Sequence, residues 1–404
     1  MVECGVDIIE IERIKSAVER NESFLGRVFS KNEIEYFKAK GERFETLAGI
    51  YAAKEAFVKY KKTGIRGLEL SEISVEHESL GAPFVVFRGE RMAVSLSISH
   101  NKTHAVAVVC GEGGSLPKCE GMKKLIPVRK SDAHKGDCGR VFVVAGSEGM
   151  TGAAILAARG ALRSGAGLVT VGTVASERQV VACGSAETMT VGLSEKNGML
   201  SREGTEKIIE YAKKSDCVVF GPGLGRCEDI FLILERLLSE YEGKLVLDAD
   251  GLFALSGNCD ILKKRRCGVV LTPHPGEMSF LSGKPVDEIP KNRSAVAVEF
   301  AKRYDVTVLL KGKGTVVSGG TEAQGLYINS TGNCGMATGG MGDVLSGIIG
   351  AFLAQGMDTF DAAVLGAYIH GKAGDIGAMR LGTHGLLAGD VAELVPEAIR
   401  SELD

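Results

Sequence analysis

The chain has ten cysteines in 404 residues, and none of them lies in a Cys-x-x-Cys pair. That spacing suits neither a zinc site nor a disulfide framework in a chain of this length. The thiols therefore read as mostly reduced, buried and cytosolic. A basic excess is also missing: the net charge is −3 and the pI is near 6.2. That argues against nucleic acid as a partner. No uncharged apolar run approaches the ~18 residues a membrane span needs, so no membrane partner is expected. The N-terminus, MVECGVDIIEIERIK, has no basic segment and carries acids inside its apolar run, unlike a signal peptide. Tandem repeats and low-complexity tracts are absent as well.

What remains is an ordinary globular composition, 45% hydrophobic and 25% charged. At ~150 residues per domain the length predicts roughly two to three domains. Glycine usage shows where to divide them: 8 of the 54 glycines fall in residues 1–110. The change occurs at GEGGSLPKCEGMKK (111–124), a stretch without apolar periodicity and with the composition of a linker. The expected organisation is a domain over 1–115, a linker over 116–128 and a domain over 129–404.

In the first domain the pattern predicts a strand at 2–8 and helices near 10–20, 31–38 and 43–61. Strands follow near 73–77, 83–87, 94–98 and 104–109, which together make an α+β domain. Asp7 interrupts the apolar run VECGVDII, and Glu55 lies in the mostly apolar helix AGIYAAKEAFVKY. A buried carboxylate is costly unless it is paired or metal-bound. Each acid has an ordinary explanation: Glu55 pairs with Lys59 one turn on, and Asp7 caps the helix starting near Glu10. The alternative is that both converge on Mg²⁺, which takes one or two carboxylates together with substrate phosphates. Ser99, His100 and Asn101 then fall between two strand-like runs.

Beyond residue 129, strand-like and helical patterns alternate, from RVFVVAG (140–146) to VTVLLKGKGT (306–315). This alternation predicts an α/β domain with a mainly parallel sheet, whose ligands bind at the strand carboxyl ends. Four loops there are candidate ligand sites. GPGLG (221–225) offers bare backbone, though a tight turn needs the same glycines. LLKGKGT (309–315) suits a phosphate, though a simple hairpin accounts for it too. TPHPGE (272–277) holds His274 between prolines. DAD (248–250) either binds Mg²⁺ or caps the next segment. The fullest signal is GNCGMATGGMGDVLSGIIGAFLAQG. Val344, Ile348 and Phe352, like Leu345, Ile349 and Leu353, recur at fourth-residue spacing, which predicts a helix. Gly339 to Asp343 then lie at its N-terminus, where free N–H groups and the helix dipole favour an anion. A capping Asp does not require three glycines in the four residues before it. The excess points to an anion hole for a phosphoryl group in transfer, with Asp343 as base for an attacking hydroxyl.

Two resemblances follow from these motifs. GVDIIEIERI, YAAKEAFVK, KTGI (62–65) and SISH, in that order, resemble the holo-acyl-carrier-protein synthases, a phosphopantetheinyl transferase family, over essentially the whole first domain. The resemblance implies that Asp7 and Glu55 hold Mg²⁺, with Glu55 also catalytic. It places Lys59 and His100 on coenzyme A, and Arg13 against apo-acyl carrier protein. Asn101 stands where this family more often has Asp or Thr. Residues 1–110 carry 16 basic and 16 acidic side chains, so attraction to an acidic partner must come from a local patch.

HKGDCGRVFVVAGS, MTGAAILAARGALRSGAGLVTV, FGPGLG, LDADGL, LTPHPGE, LKGKGT, the 329–356 stretch and AYIHGKAGD resemble the ADP/ATP-dependent NAD(P)H-hydrate dehydratases, of ribokinase-like fold, over about 129–400. The resemblance implies ADP as co-substrate and NADHX or NADPHX as substrate. Asp343 would act on the hydrate hydroxyl. Ala153, Gly223, Gly225 and His274 would line the hydrate site with it. Lys311, Gly312, Lys313, Gly314, Thr315 and Gly342 would hold the nucleotide. Phe253 replaces an Asn common after DAD-x-L, and Met341 replaces a usual Ser or Thr. Relatives of the two domains form trimers and tetramers, so the resemblance implies a homo-oligomer. The rival expectation is a small-molecule kinase of the same fold behind a non-catalytic module that binds coenzyme A or a carrier protein.

Overall fold

The computed structural model describes residues 2–21, 23–60, 70–78, 81–87, 90–92, 94–112, 120–321 and 324–403. The KTGI segment and residues 116–119 of the expected linker lie outside the described residues. The chain forms two compact units, Met1–Pro117 and Lys118–Asp404.

The first unit runs β1 (Val2–Glu10), α1 (Ile11–Arg20), α2 (Ser23–Val28), α3 (Lys31–Ala39), α4 (Phe44–Tyr60), β2 (Ile73–His77), β3 (Pro83–Phe87), β4 (Glu90–Arg91), β5 (Ser95–His100) and β6 (His104–Glu112). Two antiparallel three-stranded sheets form, in the orders β1-β6-β5 and β2-β3-β4. The α+β expectation stands; α2 and β4 are too short to leave a periodic signal. Helix α4 packs across the first sheet at very close range: a Cβ on Gly5 would sit 1.9 Å from the carbonyl oxygen of Ala56. A larger residue there would lift the strand off the helix.

The cluster beneath α4, including Leu47, Ala53, Phe57, Ala105, Ala107 and Val109, also encloses an ion pair. Lys54 Nζ lies 2.6 Å from Glu33 and donates to the carbonyls of Val28 (2.7 Å) and Leu70 (3.0 Å). Glu33 completes a capping box with Ser30 and accepts the Val75 N–H at 2.7 Å. Every charge in this dry pair therefore has partners, as burial demands.

The second unit opens with α5 (Glu120–Leu125), a short helix inside the stretch expected to be linker. It continues through β7 (Arg140–Val144), α6 (Thr151–Arg163), β8 (Leu168–Val174), α7 (Arg178–Gly184), β9 (Met189–Leu193), β10 (Glu195–Lys196), β11 (Met199–Leu200), α8 (Thr205–Lys213), β12 (Cys217–Phe220) and α9 (Glu228–Glu240). Then come β13 (Lys244–Leu247), α10 (Asp250–Ala254), β14 (Gly268–Leu271), α11 (Pro275–Ser282), α12 (Arg293–Tyr304), β15 (Thr307–Leu310), β16 (Val316–Ser318), β17 (Leu326–Ile328), α13 (Met341–Ala354), α14 (Thr359–Leu381) and α15 (Ala388–Leu403). The nine-stranded sheet has the order β17-β16-β15-β14-β13-β12-β7-β8-β9, parallel except for β16 and β17. The chain builds outward from β7 through β8 to β9, then crosses to β12 on the other side. The switch point between β7 and β12 is where open α/β sheets bind ligands.

Register aligns the strand ends, pairing Val144 with Phe220, Phe220 with Leu247 and Leu247 with Leu271. All their loops therefore emerge on one rim. Behind it, α13 is buried on every side, its apolar positions too numerous for one face. It crosses α6 almost backbone to backbone. A Cβ on Gly347 would lie 2.0 Å from the Ala157 oxygen, and one on Gly160 would lie 2.4 Å from the Val344 oxygen. That contact fixes the height at which the α13 N-terminus meets the rim. Among the described residues no helix is long and apolar enough to cross a membrane.

Candidate active sites

In the first unit, β1 supplies Asp7 and α4 supplies Tyr51, Glu55 and Lys59, each one turn from the next. Lys59 Nζ lies 2.8 Å from Asp7 Oδ1 and 3.1 Å from the Val6 carbonyl oxygen. The ordinary explanations offered for the two acids do not describe this arrangement. Lys59 pairs with Asp7, and α1 starts after Glu10, whose side chain makes no cap, with Asp7 still in the strand. Glu55 Oε1 is buried without a hydrogen-bond partner. Burial and then the Asp7 charge raise its pKa, against the Tyr51 hydrogen bond and Lys59. A buried carboxylate oxygen without a partner, next to a second carboxylate, has the chemistry of a hard-cation site.

The ladder pairs Ile9 with Ala105 and Ala105 with His100, so His100 shares the sheet face of Asp7 but stands on the far strand, two residues further along. Arg13 is exposed in the first turns of α1. Asn101 proves to be a turn residue: its Oδ1 accepts the N–H groups of Thr103 (2.8 Å) and His104 (2.7 Å) at the β5–β6 corner.

The second site gathers on the rim. Asp343 is the third residue of α13. Asp248 follows β13 and is 1% exposed. Lys311 follows β15 and reaches across, with Nζ 2.7 Å from Asp248 Oδ1 and 3.7 Å from Glu277 Oε2. A Cβ on Gly342 would stand 3.3 Å from that Nζ. Burial pushes the Asp343 carboxyl up to about 7, with the Asp248 charge adding to the rise and Lys311 opposing it. Burial works against the Lys311 charge, but Asp248 and Glu277 outweigh it and hold the ammonium above its ordinary range. Three carboxylates around one lysine leave Asp343 as the acid that can exchange a proton near neutrality.

Between Asp248 and Asp250, Ala249 adopts φ 48° and ψ −117°, a strained conformation for a residue with a Cβ. The strain turns the two acids apart. Asp248 meets Lys311, while Asp250 accepts the Gly225 N–H at 2.9 Å. The DAD motif thus ties the GPGLG loop to the rim. Gly221, Gly223 and Gly225 all have positive φ. A Cβ on Gly223 would meet that of Ala153 at 3.0 Å, so these two sequence candidates are neighbours.

His274 has a structural duty. It is the N-cap of α11, and its Nδ1 accepts from Gly276 N (3.0 Å) and Glu277 N (3.3 Å). That fixes the tautomer and leaves Nε2–H on the exposed edge. The 311–315 loop is the hairpin between β15 and β16, closed by Thr315 Oγ1 donating to the Gly312 carbonyl oxygen at 3.0 Å. Gly312 and Gly314 supply its positive φ angles. Arg293, unnoticed in the sequence, holds the hairpin through the Leu310 and Lys313 carbonyls. Lys313 is exposed beside it.

The glycines before Asp343 divide by role. Gly340 has φ 88°, and a Cβ there would strike Leu156 at 2.5 Å, so the fold requires it. Gly339 has nothing within 4 Å of the place a Cβ would occupy. Packing does not explain it, whereas a ligand pressed against backbone N–H groups does. Met341 is a buried first residue of α13.

The AYIHGKAGD run also resolves. Asp375 accepts from Gly332 N and Asn333 Nδ2, both at 2.9 Å. Gly371 and Gly374 make room for Thr331 and Met336. Helix α14 therefore carries the loop that leads into α13. His370, on the same helix, is buried and lowered to about 4 by burial and the Lys311 charge. Sequence periodicity marks these positions only as apolar-helix members.

A mainly parallel α/β sheet with phosphate-compatible glycine loops and an aspartate of raised pKa at a helix N-terminus, beside a lysine, defines a ribokinase-like enzyme class. Residues 141–397 match the family model described as NAD(P)H-hydrate dehydratase, and the chain belongs to that family. Residues 3–110 match the model for the 4'-phosphopantetheinyl transferase superfamily. The bifunctional NAD(P)H-hydrate repair enzyme of Moorella thermoacetica is 41% identical over 277 residues, which cover 68% of this chain and 52% of that one. The chain thus spans about half the length of that relative. The ADP-dependent (S)-NAD(P)H-hydrate dehydratase of Neisseria meningitidis is 39% identical, with 65% of this chain and 86% of that one covered. The crystal structure of the ADP/ATP-dependent NAD(P)H-hydrate dehydratase from Bacillus subtilis, co-crystallised with ATP and Mg²⁺, is 30% identical. It superposes with a TM-score of 0.60 over 70% of this chain and 96% of that one.

Proposed function

We propose that the second unit dehydrates NADHX and NADPHX to NADH and NADPH, using ADP and releasing AMP and phosphate. The observation that carries this reading is Asp343, half-buried at a helix N-terminus beside Lys311, with its carboxyl pushed up to about 7 by desolvation. The hydrate hydroxyl is a poor leaving group, and phosphorylation makes it a good one. Asp343 takes the hydroxyl proton as the oxygen attacks the terminal phosphoryl group of ADP. The α13 N–H groups at Gly339 to Gly342 and the Lys311 ammonium draw off the phosphoryl charge. The ring nitrogen lone pair then expels phosphate to give an iminium, and loss of a proton from the adjacent ring carbon restores the reduced nicotinamide. The Gly312–Thr315 hairpin holds the adenine nucleotide, and the Ala153, Gly223, Gly225 and His274 rim holds the hydrate. The test incubates the protein with NADHX and ADP. Recovery of NADH absorbance with equimolar AMP is expected. A stable phosphorylated product would instead mark a small-molecule kinase, and no AMP at all would sink the assignment.

For the first unit, over residues 1–115, the reading is transfer of phosphopantetheine from coenzyme A to a serine of apo-acyl carrier protein, with Arg13 facing the carrier. Glu55 and Asp7 fit Mg²⁺, and Glu55's unpartnered oxygen is the supporting observation. The ion supplies charge neutralisation on the pyrophosphate. Lys59, released from Asp7, and His100 then hold phosphates. Mass spectrometry of apo-carrier protein with coenzyme A and Mg²⁺ decides the matter; a serine left unmodified refutes transfer.

A further inference from the structure

The first strand carries a feature that neither proposed reaction uses. Cys4 on β1 and Cys110 on β6 are directly opposed in the antiparallel ladder. Such partners have Cα atoms about 4.5–5.5 Å apart, inside the roughly 4.4–6.8 Å window of a disulfide. Their sulfurs lie 2.9 Å apart, closer than any unbonded packing needs. Cys4 is exposed and Cys110 half-buried. Cys259 and Cys267, by contrast, are buried, and burial raises them to about 11 and about 12.

We propose that Cys4 and Cys110 are a redox modification site that closes into a reversible intrachain disulfide under mild oxidation by hydrogen peroxide. The Cys4 sulfur attacks the peroxide, whose O–O bond breaks to give a sulfenic acid and one water. The Cys110 sulfur then attacks that sulfur and expels a second water. Two thiols are oxidised and one peroxide is reduced, with both thiol protons carried off in the waters. The hydrogen bond that the Cys110 thiol donates to Cys4 holds Cys110 above its ordinary range, consistent with Cys110 as the resolving partner.

The bridge has a structural consequence, and it does not depend on the transferase reading. Gly5, next to Cys4, rests against Ala56 of α4, and Asp7 lies two residues further on. Closing the ladder at Cys4 clamps the end of the strand that sets the position of Asp7 against Lys59. A bond spanning a separation of 106 residues also restricts the unfolded chain.

The experiment treats the reduced full-length chain with hydrogen peroxide and maps its disulfides by mass spectrometry. The expected result is one linked peptide pair containing Cys4 and Cys110, an intact mass lower by two hydrogens, and reversal by dithiothreitol. Amide exchange over Gly5–Ile9 should slow by about tenfold in the oxidised form. Cys4→Ser or Cys110→Ser should each remove the linked pair. Separate sulfinic acids at the two positions, a bridge between two chains, or unchanged exchange in the bridged protein would each overturn the proposal.

Discussion

Asp343 shows how one side chain sets both a reaction and a stability cost. Its carboxyl is lifted to about 7 by burial and by Asp248, whereas an unfolded aspartate titrates near ~3.9. Because the base acts in its ionised form, the dehydration rate should rise with pH through about 7 and level off above it. The profile in Asp343→Glu should move with the new carboxyl, and Asp343→Ala should abolish the reaction. Stability moves the other way. Between ~pH 4 and 7 the folded state binds the proton that the unfolded state releases, so stability falls as pH rises through this window. Above it the full cost of the ionised, buried group is present. Asp343→Asn should therefore be more stable than the parent at pH 8, by about 2 kcal/mol, and indistinguishable from it near pH 4. Denaturant melts of the second unit at the two pH values check this, and a stabilisation that does not vary with pH would contradict it.

At the scale of elements, glycine positions separate packing from ligand binding. Gly347 lies where α13 crosses α6, and a methyl there meets the Ala157 carbonyl at 2.0 Å. Gly347→Ala should cost about 1–3 kcal/mol or more, as overpacking does, and should lower activity in the molecules that still fold as well, because it shifts the α13 N-terminus on the rim. Gly339→Ala meets nothing within 4 Å. Its melting temperature should not change, while KM for ADP rises, because the methyl enters space left for phosphate. A buried ion pair gives the matching test in the first unit. Lys54→Met leaves Glu33 charged and buried, which should cost about 3–5 kcal/mol, and Glu33→Gln with Lys54→Met should recover part of it. Thermal melts read each case.

These elements also explain what the sequence could disclose. Strands such as Arg140–Val144 and the helix from Met341 were legible because apolar period and glycine punctuation are local. Candidates from separate motifs, Asp343 and Lys311, meet because every strand end feeds one rim. The partners that define their chemistry were not legible. Lys311 finds Asp248 across three strands, Glu33 finds Lys54 across two helices, and Arg293 reaches the hairpin from α12. Such pairings depend on topology rather than spacing. His274 illustrates the converse: a motif that reads as ligand-binding also does the work of an N-cap.

For the whole molecule, the two units pose a question of coupling. Each has its own hydrophobic core and its own cluster of charged groups, with Glu55 and Lys59 in one and Asp343 and Lys311 in the other. Neither proposed substrate is the product of the other reaction, so catalysis in one unit requires nothing chemical from its neighbour. The expected outcome is reciprocal independence. Asp343→Ala should eliminate NADH formation and leave modification of apo-carrier protein within about twofold. Glu55→Gln should reduce transfer by about 10²-fold or more, as loss of a metal-binding carboxylate does, and leave dehydration unchanged. Additivity is the rule for sites that share no partners, so the double variant should lose both activities and nothing else. If Asp343→Ala also stops transfer while the first unit still melts normally, the units share an energetic link that separate cores do not predict. Binding of NADHX should then alter the affinity for coenzyme A, and calorimetry on the full chain would measure that linkage directly.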